Sequence, residues 1–532
     1  MTKMVLPISP PSGEPHASPN RRRALSAFMA ICIFIFLSVA FQIGISRNLQ
    51  NTIADQSWGR VQFAIGAAIT SMKFGGYGYT IAAPVRVALD NGGLTGDPAK
   101  LTALGLGFPD NLRNPAVINK AINQALELNW PFDSRNQVTG IGGDDIGLVD
   151  FTRLSFFLFG FSVLSFYLTY FTVMGLSFLC AILAFRELPG RLIIFFILAL
   201  ALPLIFTSSL LDPEVDGILD PRFLSTLSIV PAAHLAIAIV ERSPPLPGNV
   251  ALAAVQSCIL IFGYWIRTSA LWTCLALIIL ALALGSRALW RRERPVFQRL
   301  WPAGLLSAFA LAHLLTVAIA LHPVYRGGNE RAYHGFWHAM VYALQFNPQW
   351  KEKYSAKYEE ATYDEQPEMV AKKYLLRHPP ENLDATYLTA DRKYIRTGVT
   401  ERYKRKALLE FFLSDPKFVL ETYFVHNVSL SYEALSHHFS SLARLPILYL
   451  IGILTSLVGI ALLPSFDRRE IKCLTQGALL LAAGFFVSMT YLIVSAPSIL
   501  VMADQFFMII ALVGTLVVLS LAVAKKWLQL SF

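Results

Sequence analysis

Long apolar runs separated by short polar connections organise most of this chain. "RRR" (Arg21 to Arg23) precedes "ALSAFMAICIFIFLSVAFQIGI", a run without a single charged residue. About 20 apolar residues in a helix cross the ~30 Å hydrocarbon core of a bilayer. The pattern supplies about ten such runs. After the first, at 24–45, they fall at 154–185, 192–210, 223–240, 249–266, 269–286, 301–321, 446–463, 474–496 and 499–524. The second is too long for one perpendicular crossing. Its start, "LSFFLFG", reads as an interfacial helix that bends at Gly160 ahead of the true span.

Two long mixed segments interrupt the apolar pattern. The first includes "NPAVINKAINQALEL", which has a helical apolar period. The second includes "DRKYIRTGVTERYKRKALLEFFLSDPKFVLETYFVHN", which reads as helices broken at "SDP". The expected fold is an all-α polytopic membrane protein. About ten transmembrane helices carry two large, mainly helical extracytoplasmic loops. The expected organisation is a disordered, Pro- and Ser-rich cytoplasmic segment over 1–23, a first transmembrane helix over 24–45 and loop 1 over 46–153. Helices 2–7 follow over 154–321, loop 2 over 322–445, and helices 8–10 with a short cytoplasmic tail over 446–532. A basic flank before an apolar run also describes a signal peptide. This run is long for that role and no small-residue cleavage site follows it cleanly, so it reads as a retained helix.

Composition agrees with the pattern. Of 532 residues, 55% are hydrophobic and 15% charged, against about 25% charged in soluble domains. The net charge of +10 raises nucleic acid as a partner, but the basic residues lie in short loops and near the ends rather than on one patch. "FRELPGR", "SRALWRRERPVFQR", "FDRREIK" and the late "KK" fall on one side, while "LDPEVDGILDPR" falls on the other. That is the positive-inside pattern, and it puts both termini in the cytoplasm of a bacterial-type inner (plasma) membrane. Cys32, Cys180, Cys258, Cys274 and Cys473 all lie in or beside apolar runs. They imply no disulfide framework and read as small packing residues.

Candidate chemistry gathers where polar chain meets apolar runs. In "GDDIGLVDFTRLSFFLFG", Asp144, Asp145 and Asp150 flank "IGLV" and Arg153 follows. Either this is a solvated loop end, or it is a general base or an oxygen ligand set for a divalent ion at the water–lipid boundary. Asp55, in "ADQSWGR", is a helix cap or a second carboxylate of such a site. Arg267, in "GYWIRTSALW", stands between two apolar runs. It either snorkels to headgroups or pairs bidentately with a phosphate. His334 and His338, in "YHGFWHAM", share a helix face at i, i+4 spacing, which suits zinc, substrate contact or plain aromatic packing. Asp504 lies a few residues inside the last span, as a cap or a functional intramembrane acid. Asp212, Glu214, Asp216 and Asp220 crowd one short loop and suit solvated turns. No phosphate-binding glycine loop, dinucleotide fingerprint, nucleophile elbow or CxxC occurs in a usable context. Energy for any chemistry must therefore arrive in the substrate or come from a gradient.

The long first outer loop, an acid just before "LFG" and the span "SFYLTYFTVMGLSFLCAILAFRE" resemble the GT-C superfamily of membrane glycosyltransferases. The plan is similar to that of its mannosyltransferases and aminoarabinose transferases. "YWIRTSALWTCLALIIL" is similar to a basic segment at the outer end of a later span in that family. "LSDPKFVLETYFVHN" resembles the helix that leads such chains back to the membrane. The resemblance implies a sugar donor linked to polyprenyl phosphate and a glycan, lipid or protein acceptor outside the cytoplasm. It implies catalytic carboxylates at Asp55 and at Asp144 or Asp145. Substrate or phosphate contacts are expected at Arg153, Arg267, His334, His338 and Arg396, with Arg392 and Lys393 beside the last. The cofactor is open, with a divalent cation as the candidate. A polyprenyl phosphate is already a good leaving group, so one aspartate would take the acceptor proton and a cation would stabilise the departing phosphate.

Two other classes stay open. A lipid or polysaccharide transporter or flippase wants polar groups near the bilayer centre. His234, Gln256 and His313 are the candidates, each standing alone in its run and easily satisfied by a neighbouring helix. A non-catalytic envelope-assembly protein predicts that the aspartates do not converge.

Overall fold

A computed structural model describes residues 19–50, 147–160, 164–207, 221–241, 243–267, 270–292, 296–320, 336–358, 366–381, 397–433, 468–494 and 503–530, with single positions between them. Every regular element among the described residues is helical.

The apolar runs become helices α1 (Pro19–Gln50), α2 (Gly147–Phe159), α3 (Leu164–Phe185), α4 (Pro189–Thr207), α5 (Ile229–Val240), α6 (Pro247–Ile266), α7 (Leu271–Trp290) and α8 (Phe297–Ala320). Five helices, α9 (Phe336–Ala343), α10 (Gln349–Tyr358), α11 (Gln366–Arg377), α12 (Thr397–Ser414) and α13 (Pro416–Glu421), belong to the second mixed segment. The last two are α14 (Arg468–Val494) and α15 (Ala503–Leu530). Among the described residues, seven helices are long and apolar enough to cross a membrane, namely those carrying Arg23–Ser46, Leu164–Phe185, Pro189–Phe206, Pro247–Ile266, Leu271–Trp290, Glu470–Thr490 and Phe507–Lys525. Ser225–Val240 is a shorter apolar helix. The chain is a multi-pass helical membrane protein. The expected run at 446–463 lies outside the described residues.

The long second run divides as the pattern requires. α2 ends at Gly160, whose φ of +82° is a backbone conformation that suits glycine. The Gly160 N–H donates to the Phe156 carbonyl at 3.0 Å, and Ser165 Oγ donates to the Gly160 carbonyl at 2.5 Å. α2 begins at Gly147, so the helix takes in "GLVDFTR" as well as "LSFFLFG". Leu148, Phe151, Thr152, Ser155 and Phe156 form its buried stripe, at the spacing of one helical face. Phe157, Leu158 and Phe159 stay exposed, as suits a lipid-facing edge.

One core centres on α4. In its span, Pro189–Phe206, 94% of residues are buried, and α1, α3, α14 and α15 pack around it. A helix apolar on all sides belongs in the middle of a bundle. A second core joins α5, α6, α7 and α8 through Leu235, Leu260, Leu277, Trp301 and Leu306. A third, in the segment after α8, gathers Val341, Leu344, Trp350, Phe411 and Phe418. That layer touches α14 through α9 and through the π-helical turn Thr422–His426.

The five cysteines are all free thiols. Cys180, Cys274 and Cys473 are buried, as expected of packing residues, but Cys258 is exposed on α6. Its position on the outward face is decided by the rotation of α6, which hydropathy does not specify.

Candidate functional site

α2 enters the bundle against the last turn of α6. A Cβ on Gly147 would stand 2.1 Å from the Trp265 carbonyl carbon, so only glycine permits this approach. The contact brings Asp150, in the first turn of α2, to Trp265, whose indole Nε1–H donates to Asp150 Oδ2 at 2.7 Å. A hydrogen bond to a charged acceptor contributes about 1.5–3 kcal/mol. Arg153, one turn on, stands 3.6 Å from Asp150 Oδ1. This pair is partly exposed and adds at most about 1 kcal/mol. The other face of Trp265 meets His313 of α8 edge-on, with ring centroids 4.6 Å apart.

Two residues beyond Trp265, α6 closes on Arg267, whose N–H donates to the Gly263 carbonyl at 2.9 Å. The backbone is extended there, and the guanidinium charge acts on Asp504 in the first turn of α15. Ser225, in the 3-10 turn Ser225–Ser228 that leads into α5, hydrogen-bonds the Asp504 carboxyl. Four elements thus supply Asp150, Trp265, Arg267, Asp504 and Ser225 to one end of the bundle. The arrangement can orient an anion or hold a proton at an interface, because its charges come in opposite pairs fixed by rigid helices.

A second polar group lies in the layer after α8. Lys404 of α12 is 2% exposed. Its Nζ contacts His338 Nδ1 at 3.0 Å, Glu368 Oε1 at 2.5 Å and Glu401 Oε1 at 3.3 Å. Glu401 Oε2 also accepts from the Trp337 N–H at 3.2 Å. Burial pulls the Glu368 carboxyl upward, but hydrogen bonds and charges from His338 and Lys404 outweigh it, and its pKa lies below the ordinary carboxylate value. α9, α11 and α12 each contribute to this group, which is how a lysine with so little exposure is tolerated.

In the middle of the bundle, Ser177 Oγ donates to Gln256 Oε1 at 2.7 Å, and Gln256 Nε2 donates to the Ser177 carbonyl at 2.8 Å. Gln256 Nε2 and His234 Nδ1 are 3.2 Å apart. Neighbouring helices thus satisfy Gln256 and His234, each of which is the lone polar candidate in its own run. These side chains join α3, α5 and α6 into one buried network, because antiparallel helices bring positions 22 residues apart to the same depth. His313 does not join it and packs on Trp265.

The expected site residues divide in two. Arg153, Arg267, His338 and Asp504 are described, and the Arg267 charge acts on Asp504. Arg153 pairs with Asp150 at the same bundle end, whereas His338 joins the Lys404 group. Asp55, Asp144, Asp145, His334, Arg392, Lys393 and Arg396 lie outside the described residues, as do Asp212, Glu214, Asp216 and Asp220. Among the described residues, no three His, Cys, Asp or Glu side chains gather as a metal site. Lys404, Glu368, Glu401 and Ser225 escaped the sequence reading. The i, i+3 spacing of Glu401 and Lys404 was the one local signal, and it is shared by many exposed helical pairs. Set against family models, curated proteins and solved structures, the chain has no match.

Proposed function

We propose that this chain is an integral membrane glycosyltransferase of the GT-C kind. It would transfer a sugar from a polyprenyl-phosphate-linked donor to a glycan, lipid or protein acceptor on the extracytoplasmic face. The observation that carries the reading is the seating of Gly147 on the Trp265 backbone, two residues from Arg267. Two peptide units join Asp145 to Gly147, a covalent reach of at most about 7 Å. The acidic pair "DD" thus precedes directly the point where α2 meets the arginine end of α6. In this reading Asp55 and Asp144 or Asp145 supply the base that takes the acceptor proton as attack proceeds. Arg267 stabilises charge on the departing phosphate, and Asp504 holds the guanidinium in place. Asp150 positions α2 through Trp265. Membrane lipids carry the donor tail, and the acceptor arrives from water.

The test is transfer from radiolabelled polyprenyl-phosphate sugars by the purified protein in nanodiscs. Wild type transfers label. The triple variant Asp55→Asn, Asp144→Asn, Asp145→Asn loses at least a hundredfold, the size typical of a removed acid–base group. Full transfer by the triple variant would refute the catalytic assignment.

The network of Ser177, Gln256 and His234 favours a second reading, a lipid or polysaccharide transporter or flippase, since polar groups at that depth suit a passage through the bundle. Lipid-scrambling or flux measurements on Gln256→Leu separate the two. Loss of flux with no sugar transfer by wild type would select the transporter.

A further inference from the structure

The bundle end opposite Arg267 carries a cleft of about 380 Å³ between α5, α7, α8 and α14. Its walls are Val240, Leu280, Leu284 and Ala288, and its polar lining is Arg287, Arg291, Arg299 and Gln476. Its volume falls within the roughly 300–1,000 Å³ of small-molecule sites. The chemistry is divided: aliphatic side chains line one part, and three guanidinium groups with one amide line the other. Among the described residues, no carboxylate lines it. Glu241, the residue after Val240, is ion-paired to Arg191 and lies 3.8 Å from Cys473 Sγ, so it is turned elsewhere.

Helix geometry fixes the spacing of the cations. Arg287 and Arg291 stand four residues apart, one turn along α7 on one face. Arg291 ends the helix, with its N–H donating to the Arg287 carbonyl at 3.0 Å. Arg292 then takes a left-handed φ of 52°. That turn reverses the chain so that Arg299, in the first turns of α8, comes back to the same cleft. A non-glycine residue in this region costs roughly 1 kcal/mol, so packing around the turn holds it. Beside the cleft, Trp290 is 88% exposed and Phe297 63%, as in an aromatic belt at headgroup depth. Bulk positive-inside charge needs only cations in a loop. It does not require them to line one cavity with an aliphatic wall.

We propose that this cleft binds the phosphate headgroup of an anionic membrane lipid, with Arg287 and Arg291 on the phosphate and Leu280 and Leu284 along the first part of the acyl chain. Guanidinium groups favour phosphate because their paired N–H donors match two of its oxygens. Basic clefts between transmembrane helices at this depth are suited to anionic headgroups. The site lies away from the Arg267 end and is independent of the transfer reaction.

Native mass spectrometry of the full-length protein in mild detergent tests this, with phosphatidylglycerol and phosphatidylcholine as probes. Wild type should retain phosphatidylglycerol about 25-fold more tightly than phosphatidylcholine, at roughly fivefold for each of two arginines. Arg287→Gln with Arg291→Gln should bring the two lipids level, while helical circular dichroism is unchanged. Arg287→Lys with Arg291→Lys should keep part of the preference, because charge is retained without the paired donors. Equal retention of the two lipids by wild type, or an unchanged preference in the Gln variant, would overturn the proposal. Millimolar inorganic phosphate should leave phosphatidylglycerol in place. Its displacement by inorganic phosphate alone would overturn the lipid assignment in favour of a free phosphate.

Discussion

Single side chains in the helical layer make the most direct claims. Gln366, at the start of α11, is buried with both amide atoms lacking a hydrogen-bond partner. An unsatisfied buried polar group costs about 1–3 kcal/mol. Gln366→Met should therefore raise stability by about 1 kcal/mol, read as a higher unfolding midpoint; a lowered midpoint would sink the idea. Glu368 offers a pH signature. Its pKa is held below the ordinary carboxylate value of 4.5, so the folded state binds a proton less readily than the unfolded one. Its stabilisation is present above that value and is lost as pH falls through the folded pKa. Wild type should lose stability on acidification below about pH 4.5, and Glu368→Gln should flatten that limb. At neutral pH, Glu368→Ala should cost about 2–3 kcal/mol, less than the roughly 3–5 kcal/mol of a fully buried pair, because Glu401 still faces Lys404.

Helix ends carry the next set of claims. The break at "SDP" separates α12 from α13, and Asp415 caps α13 by accepting from the Phe418 N–H at 3.1 Å. The same carboxylate accepts from Lys353 at 2.9 Å and from Tyr354 at 3.4 Å. Asp415→Ala should destabilise by about 1 kcal/mol, and Asp415→Asn by less, since asparagine also caps. Equal losses would show that the Lys353 pair, and not the cap, dominates. At α2 the constraint is steric. Gly147→Ala places a Cβ against Trp265 backbone, which cannot swing aside. Forced overpacking costs typically ~1–3 kcal/mol, so that variant should lower the thermal midpoint and disturb the Asp150–Trp265 contact, visible as altered tryptophan fluorescence. An unchanged midpoint and spectrum would contradict the seating of α2.

For the whole molecule, the two ends of the bundle should face opposite sides of a membrane. α8 begins just after the Arg292 turn, and its 24 residues span about 36 Å at 1.5 Å each. In a background without native cysteines, Glu352→Cys and Arg292→Cys should react with an impermeant thiol reagent from opposite faces of sealed vesicles. Labelling of both from one face would rule out the crossing by α8. Such an outcome would also separate the arginine cleft from the membrane side expected from the charge bias.

Much of this was determined by the sequence alone. Apolar run length dictates spanning helices, because an unpaired backbone is intolerable in hydrocarbon. Gly160 marks the bend through its tolerance of positive φ, and Asp415–Pro416 marks a helix start through a cap acceptor and a preset φ. Only the tertiary structure decided which helix is central. α1 and α4 are both strongly apolar, and lipid is as apolar as a protein core, so hydropathy does not tell a lipid-facing helix from an enclosed one. The same holds for polar partners. Gln256 with His234, Asp150 with Trp265 and Lys404 with Glu368 are joined across 22, 115 and 36 residues. Helix rotation and packing choose such pairs, and local periodicity contains no information about a neighbour that distant in the chain.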